Sequence, residues 1–421
     1  DLDKTTTLKT VEPYENITFQ PRFYFDFPKG FKLTFGTRFY HQEQDYKTLI
    51  KEVNYNGIAK INEWDIQTKL EQRWNSKINS EYEFYTTNYQ NYSFLNNPDN
   101  VLFEESYYNQ WLFRPEIRTT FVMNENKLTT GIGLNFETLN RTYFAEKAML
   151  KSQFVFFQYD YNPNYKWNIL AGLRYDNTNQ YQSQFSPKLA VNFKINTRLS
   201  LKTSIGYGFK APDFRQLYFD FLNSSVGYAV LGYNVAESEL NLLEGQGQLL
   251  YRIPGISFEN PLKPESSINF NFGSYYQKEQ LKIEANLFYN SISNLIDTRV
   301  VAQKTNGQNV FSYFNINQIF TYGLEFNSTY FFSKQITIAV GYQYLIAKDK
   351  SIVEAIENET VYARDPFTLE SFQIKKADYF GLLNRSKNTA NLKFFYTIPK
   401  YKTDFNLQVF YRSKYGLWDS N

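Results

Sequence analysis

The chain has 421 residues, with 45 basic and 42 acidic side chains, 19% aromatic residues, a single histidine and no cysteine. Lack of cysteine excludes disulfides, thiolate nucleophiles and cysteine-ligated metals. The lone His41 excludes multi-histidine metal sites, and a net charge of +3 with no basic stripe leaves no footprint for nucleic acid.

Mean hydropathy is −0.52 although 40 Phe and 36 Tyr are present, so the apolar surface is carried by rings dispersed among polar residues. The longest aromatic run, Phe154-Val155-Phe156-Phe157, falls far short of the ~18 apolar residues of a membrane helix. So many rings argue equally against disorder. The opening Asp1-Leu2-Asp3-Lys4 has no basic-then-apolar leader pattern, so a leader has been removed or the chain starts inside a longer protein.

In chain order, period-two segments of about ten residues occur at 31–40, 128–137, 188–195, 199–208, 281–290, 336–344 and 405–412. In the third-from-last of these, Leu281, Ile283, Ala285, Leu287 and Tyr289 alternate with Lys282, Glu284, Asn286, Phe288 and Asn290. One face is apolar and the other largely polar. About sixteen such strands are expected, within the range of membrane barrels.

Tight turns fit Phe27-Pro28-Lys29-Gly30, Met123-Asn124-Glu125-Asn126, Asn162-Pro163-Asn164-Tyr165, Asn196-Thr197-Arg198, Gln277-Lys278-Glu279-Gln280, Ser333-Lys334 and Pro399-Lys400. Between them lie longer polar stretches near 42–57, 88–107, 140–151, 213–267, 297–310 and 347–386. Alternation of short and long connections is the signature of an up-and-down barrel in an outer membrane, with short periplasmic turns and long external loops. The same parity places His41 at the upper end of a strand climbing from Phe31, near the external rim. Aromatic residues at strand ends, Trp111, Phe113, Tyr143, Phe144, Trp167, Tyr175 and Trp418, suit interfacial girdles. A soluble β-sandwich also alternates, but its strands average ~5–6 residues.

Several patterns together resemble TonB-dependent outer-membrane receptors. Gly206-Tyr207-Gly208-Phe209-Lys210-Ala211-Pro212-Asp213-Phe214-Arg215-Gln216-Leu217-Tyr218 is similar to the family's Phe-Arg-Ala-Pro box, with Lys210 in place of Arg. Asn260-Pro261-Leu262-Lys263-Pro264-Glu265 is similar to its Asn-Pro-Asn-Leu-Lys-Pro-Glu segment with one residue fewer. Weaker matches, Gly172-Leu173-Arg174-Tyr175-Asp176, Phe185-Ser186-Pro187, Phe288-Tyr289-Asn290, Tyr322-Gly323-Leu324-Glu325 and Asn384-Arg385-Ser386, follow in the family's order. Pro212 and Pro261 lack a donor, so each is expected where a strand leaves or joins the sheet. The motif residues are therefore read mainly as architecture. Arg174 and Glu325 fall in phase with lumen-facing positions.

The resemblance implies an all-β, antiparallel transmembrane barrel. It further implies an N-terminal plug, a TonB-type coupling protein as partner, a place in the outer-membrane lipid of a Gram-negative bacterium, and a surface lipoprotein as candidate partner. Neither plug nor coupling segment is recognisable, and the chain stops at Trp418-Asp419-Ser420-Asn421 just after an outward-running strand. Residues 1–421 are accordingly expected to be part of a 22-stranded barrel, without the plug, the first strands and the closing strands.

For cargo, the family imports iron chelates, haem or cobalamin. The haem-importing branch is expected to carry a histidine between the two boxes, yet 213–259 has none. Tyr218, Tyr228 and Tyr233 are alternative haem ligands, with His41 as a candidate second ligand. Ferric siderophores suit aromatic and cationic residues, which makes Arg215, Tyr218, Phe219, Phe221, Tyr228 and Tyr233 the candidate contacts. The competing reading is a loop that packs its own rings. No protein-bound cofactor, resident metal or catalytic constellation is expected. The alternatives to an active importer are a passive porin and a structural barrel in a larger assembly.

Overall fold

The computed structural model describes residues 12–50, 53–223, 227–365 and 367–416. Asp1 to Lys4 and the segment Trp418 to Asn421, on which two of the expectations rest, lie outside them. Twenty strands form one sheet. Setting aside three short strands inside the 211–264 loop, and counting the run Tyr14–Phe19 and Arg22–Phe27 once, leaves the sixteen expected. Each pairs antiparallel with its sequence neighbour in a meander. The long loop does not break the pattern, because Leu199–Lys210 pairs with Glu265–Lys278 on either side of it. Pro21 splits the first strand, where its missing donor is tolerated because this strand has one neighbour among the described residues. Thr403–Arg412, among the described residues, likewise pairs only with Asn388–Ile398.

Alternation sets the two faces. Opposed residues share a face, so the pairs Leu287 with Leu324, Leu324 with Tyr344, and Val340 with Leu392 continue one apolar row around the outside. The opposite face carries Glu284, Asn286, Glu325 and Gln343, linked by hydrogen bonds from Asn286 and Gln343 to Glu325 (3.4 and 3.1 Å). This inner face also holds a charge ladder. Lys69 meets Glu71 and Glu81, and Arg118 bridges Glu81 and Glu116 at 3.4 and 2.5 Å. Rows of rings mark the borders of the outer belt, including Trp64 edge-on to Trp111 (5.2 Å) and, at the opposite end of the strands, Trp167 against Phe193 (4.3 Å).

Several connections expected as loops are paired strand. Phe31–Ile50 and Val53–Arg73 are paired over 42–50 and 53–57, Ile78–Asn96 and Leu102–Met123 pair through most of 88–107, and Leu281–Lys304 with Asn309–Phe331 stays paired up to Gln303 and Asn309. Their polarity misleads because these hairpins rise beyond the apolar belt, where no face meets hydrocarbon and alternation of hydropathy disappears. A 20-residue strand reaches ~66 Å, more than twice what a membrane needs. For the same reason Trp111 and Phe113 lie mid-strand rather than at an end, and His41 lies in the middle of Phe31–Ile50. Tyr143 and Phe144 are not girdle residues: they lie in the loop after Asn126–Arg141, and Phe144 is buried against Phe214 and Leu139. A further tight turn, at 74–77, joins Val53–Arg73 to Ile78–Asn96.

The segment 211–264 folds as a compact cap on one tall hairpin. Helix α1 (Phe214–Tyr218) leads into a short strand Asp220–Leu222, then Ala229–Leu231, which adds parallel to Val310–Ser312. Helix α2 (Tyr233–Gly245) buries Ala236 and Leu240 against Val301, Ala302 and Val310 of the hairpin. Spacing of those two residues by four places them on one helical face.

Candidate functional site

A cavity of about 570 Å³ opens at the external mouth, between the inner wall and the start of the cap. Arg174, one of its lining residues, rests on a wall built on glycine. Gly131 and Gly133 lie under the rings of Phe156 and Phe154, and a Cβ on Gly133 would come within 2.3 Å of the Phe154 ring. The absence of a side chain there lets Phe154 lie flat and almost wholly buried. Arg174 stacks over that ring at 3.8 Å and donates two hydrogen bonds to Asp176, at 2.8 and 2.7 Å. Its charge is thus neutralised in place.

Other cavity charges are also committed. Glu137 accepts from Gln110 at 2.5 Å. Asp213 caps α1, accepting from the Gln216 amide while the Gln216 side chain accepts from the Asp213 amide. Arg141 is held among the rings of Tyr108, Phe144 and Phe219 at 5.5–5.8 Å and donates to the Thr142 carbonyl at 3.1 Å. Arg215, exposed on α1, lines the cavity without an ion pair among the described residues. Burial pushes the nearby Tyr181 phenol above its usual range, so it remains a neutral donor. Three arginines and three carboxylates line the cavity, so its formal charge balances, and among the described residues Arg141 and Arg215 are the lining cations without an ion pair.

The first box frames this cavity. Phe209, Ala211, Pro212 and Arg215 all line it, and Lys210 pairs with Glu265 at 3.3 Å where the strands either side of the cap meet. In the second box, Leu262, Pro264 and Glu265 are buried while Asn260, Pro261 and Lys263 are exposed. Asn315 holds Lys263 by both backbone groups, accepting from its amide and donating to its carbonyl at 2.8 Å each.

The other candidates fall in four separate places. Tyr218 packs with Phe144 and Phe214 and donates to Gln180 at 2.6 Å. Phe219 and Phe221 stack at 5.5 Å and continue to Tyr143 and Tyr228 as a ring cluster just after α1. Tyr233 is 7% exposed, packed between Phe258 and Phe314 in the cap's interior, with its hydroxyl donating to the Asn260 carbonyl. His41 shares its row with Phe39 and Phe35 on the outer face, its Nδ1 2.8 Å from Asn62 Oδ1, away from the cavity. The sequence reading missed Arg141, Tyr108 and Tyr181. Arg141 was legible, being in phase with Asn135, Glu137 and Leu139 on one strand. Tyr181 was not, because it reaches the cavity from a loop.

A family model described as "TonB dependent receptor-like, beta-barrel" matches residues 3–421. The chain belongs to this family. A TonB-dependent receptor barrel is an outer-membrane structure crossed by strands, and no described helix is long and apolar enough to cross a membrane. The chain is 28% identical over 129 residues to a probable TonB-dependent siderophore receptor PirA of Acinetobacter baumannii, a stretch covering 31% of this chain and 15% of that protein. Among solved structures, the siderophore receptor PirA from Pseudomonas aeruginosa superposes with TM-score 0.55 at 14% identity, covering 96% of this chain and 73% of the other. The hemophore receptor HasR of Serratia marcescens gives 0.63 at 12%, covering 95% and 64%. The alcaligin receptor FauA from Bordetella pertussis gives 0.57 at 13%, covering 95% and 61%. These likenesses show the fold. The barrel family is one of transport receptors rather than enzymes, and gives the passive-porin alternative no support.

Proposed function

We propose that this barrel belongs to a receptor that actively imports an anionic metal chelate, such as a ferric siderophore, under the drive of a TonB-type coupling protein. The observation that carries the reading is the mouth cavity, where Arg141 and Arg215 make no ion pair among the described residues and aromatic rings supply stacking surface. Haem is the second reading, and its tyrosine ligands would have to be released first, since Tyr218 donates its hydroxyl to Gln180 and Tyr233 donates its own to the Asn260 carbonyl. The whole protein is proposed to close the sheet with strands beyond Tyr14–Phe27 and Thr403–Arg412, and to fill the lumen with a plug. The support is physical: an unpaired strand edge facing hydrocarbon leaves backbone groups unsatisfied at several kcal/mol each.

A deletion strain supplied with one iron source at a time tests the import reading. Loss of growth on one or more ferric chelates, restored by the intact gene, is the expected result. Undiminished uptake of every chelate and of haem would refute it.

A further inference from the structure

On the outer face of the five strands from Phe31–Ile50 to Asn126–Arg141, one row reads His41, Asn62, Gln90, Asn109 and Asn140, each directly opposite the next. The row beneath it holds Phe39, Trp64, Asn88 and Trp111. Trp64 and Trp111 are two strands apart, about 10 Å, yet their rings meet at 5.2 Å, so the indoles lean together over Asn88. Asn88 is 2% exposed on a face that elsewhere meets lipid. Its amide is satisfied, donating to Asn109 Oδ1 at 2.8 Å and to the Gln110 carbonyl at 2.9 Å and accepting from Gln90 at 2.9 Å. It thereby fixes Gln90 and Asn109 in the row above.

Ten steps along a strand tilted by ~40° span ~25 Å, the height of the apolar band of a membrane barrel, which puts His41 at the upper edge of the band that starts at Phe31. A row runs across the strands, so the same tilt carries it out of the membrane: four strand spacings of ~4.8 Å rise by ~12 Å. Charge shows the direction. On Phe31–Ile50 the first outward charge above Phe31 is Glu43, two residues beyond His41, whereas on Ala148–Asn164 the outward Lys151 already stands opposite Phe136, below the Trp111 row. The edge of the belt therefore falls away from the row between His41 and Asn140, and Asn140 lies farthest out.

The row offers donors and no charge. The Asn62 side-chain oxygen lies 2.8 Å from His41 Nδ1, that of Asn109 accepts from Asn88, and that of Asn140 accepts from the Tyr107 hydroxyl at 3.4 Å, while all three amide nitrogens have no partner among the described residues. Charges in the next row cancel, with Lys60 on Glu43 at 2.9 Å. A phosphate on the row would lose water with no cation to match it, whereas hydroxyl and ring oxygens of a sugar are met by the free amides. We infer that this row binds the neutral sugar chain of a glycolipid in the outer leaflet. Its acyl chains lie on the apolar belt directly below, its first sugar packs against the Trp64–Trp111 pair, and the chain climbs outward from His41 to Asn140. A rising line of amides suits a headgroup of several sugars better than a compact one.

The test uses the complete protein in a detergent without sugar, with native mass spectrometry reading retention of trihexosyl diacylglycerol, monohexosyl diacylglycerol and phosphatidic acid of the same acyl chains. Wild type is expected to retain the trihexosyl lipid preferentially. The pair N62A with N140A, neither of which touches Asn88, should lower that retention roughly tenfold, the worth of about two net hydrogen bonds. N62Q with N140Q should keep most of it, which separates loss of the amides from loss of fold. K60Q with K151Q, which removes the outward ammonium groups on either side, should leave it unchanged. Equal retention of the two glycolipids, preference for phosphatidic acid, an unchanged N62A/N140A pair, an equal loss in K60Q/K151Q, or complete displacement by the free trisaccharide would each overturn the inference.

Discussion

Lys210 and Glu265 are 55 residues apart and meet across one strand pair, the ammonium 3.3 Å from both carboxylate oxygens. They close the neck of the cap. The two ends are unequal, because Lys210 is mostly exposed whereas Glu265 is nearly buried and also accepts from the Ile296 amide at 3.1 Å. Glu265→Ala leaves that buried amide without a partner and is expected to destabilise the cap by about 1–3 kcal/mol. Lys210→Met removes a solvent-screened pair and should cost less, about 1 kcal/mol or below. Limited proteolysis of the 211–264 segment in detergent should rank Glu265→Ala as clearly more cleavable than Lys210→Met, and the reverse order would contradict the assignment.

Asn315 should matter more than any residue of the second box that it holds. Its side chain makes three hydrogen bonds, two to Lys263 and one to the Asn294 carbonyl, all at 2.8 Å. Asn294 has a positive φ of 57° at a register shift in Leu281–Lys304, so its carbonyl is turned out of the ladder and needs a partner. At about 0.5–1.5 kcal/mol each, losing all three in Asn315→Ala should cost roughly 1.5–4 kcal/mol. Hydrogen exchange at the Lys263 amide should accelerate accordingly, while amides of the belt strands remain protected.

Much of this architecture was legible because lipid enforces alternation. Wherever one face meets hydrocarbon, as in 281–290, a period of two is written into residue type, and the strand count follows. Above the belt that constraint lapses, so the polar hairpin arms at 42–50 with 53–57 and at 297–303 with 309–310 read as loops although their backbones are paired. The boxes were legible as motifs, and Lys210 with Glu265 now has a reason for its sequence distance. The cavity was only partly legible. Arg215 came from its motif, but Arg141 draws its meaning from Tyr108, Phe144 and Phe219, which reach it from another strand, a loop and the cap. Asn315 carries no local signal, since its partners lie 21 and 52 residues away.

Acidification should tighten the cap. Burial raises the Asp220 carboxyl above its usual range, and Glu239 on α2 is raised by burial and then by the negative charge of Asp220. The folded cap binds these protons more tightly than the unfolded segment, so its stability falls as pH rises from the unfolded carboxylate range, ~4, through the raised folded values. Hydrogen exchange of 219–245, corrected for intrinsic rates, should therefore show greater protection at mildly acidic pH than at pH ~7. Asp220→Asn should give that protection at neutral pH and flatten the profile. A cap that loosens on acidification would reverse the sign and reject the account.

Arg215 and Arg141 separate ligand contact from support of the cavity wall. Arg215 projects from α1 without an ion pair among the described residues, so its loss should leave the cap intact. A charge-assisted hydrogen bond is worth ~1.5–3 kcal/mol, so Arg215→Ala should weaken binding of an anionic ferric chelate by roughly 10- to 100-fold. Arg215→Lys should recover part of this, because an ammonium keeps the charge but loses the planar fork. Arg141→Ala instead releases Phe144 and Phe219, which should raise cleavage of the cap and of the 142–147 loop as well as lowering affinity. Titration of each variant with the chelate, run beside proteolysis, distinguishes the two roles. Unchanged affinity in Arg215→Ala would remove it from the binding surface, leaving the caged Arg141 as the cavity's anion contact.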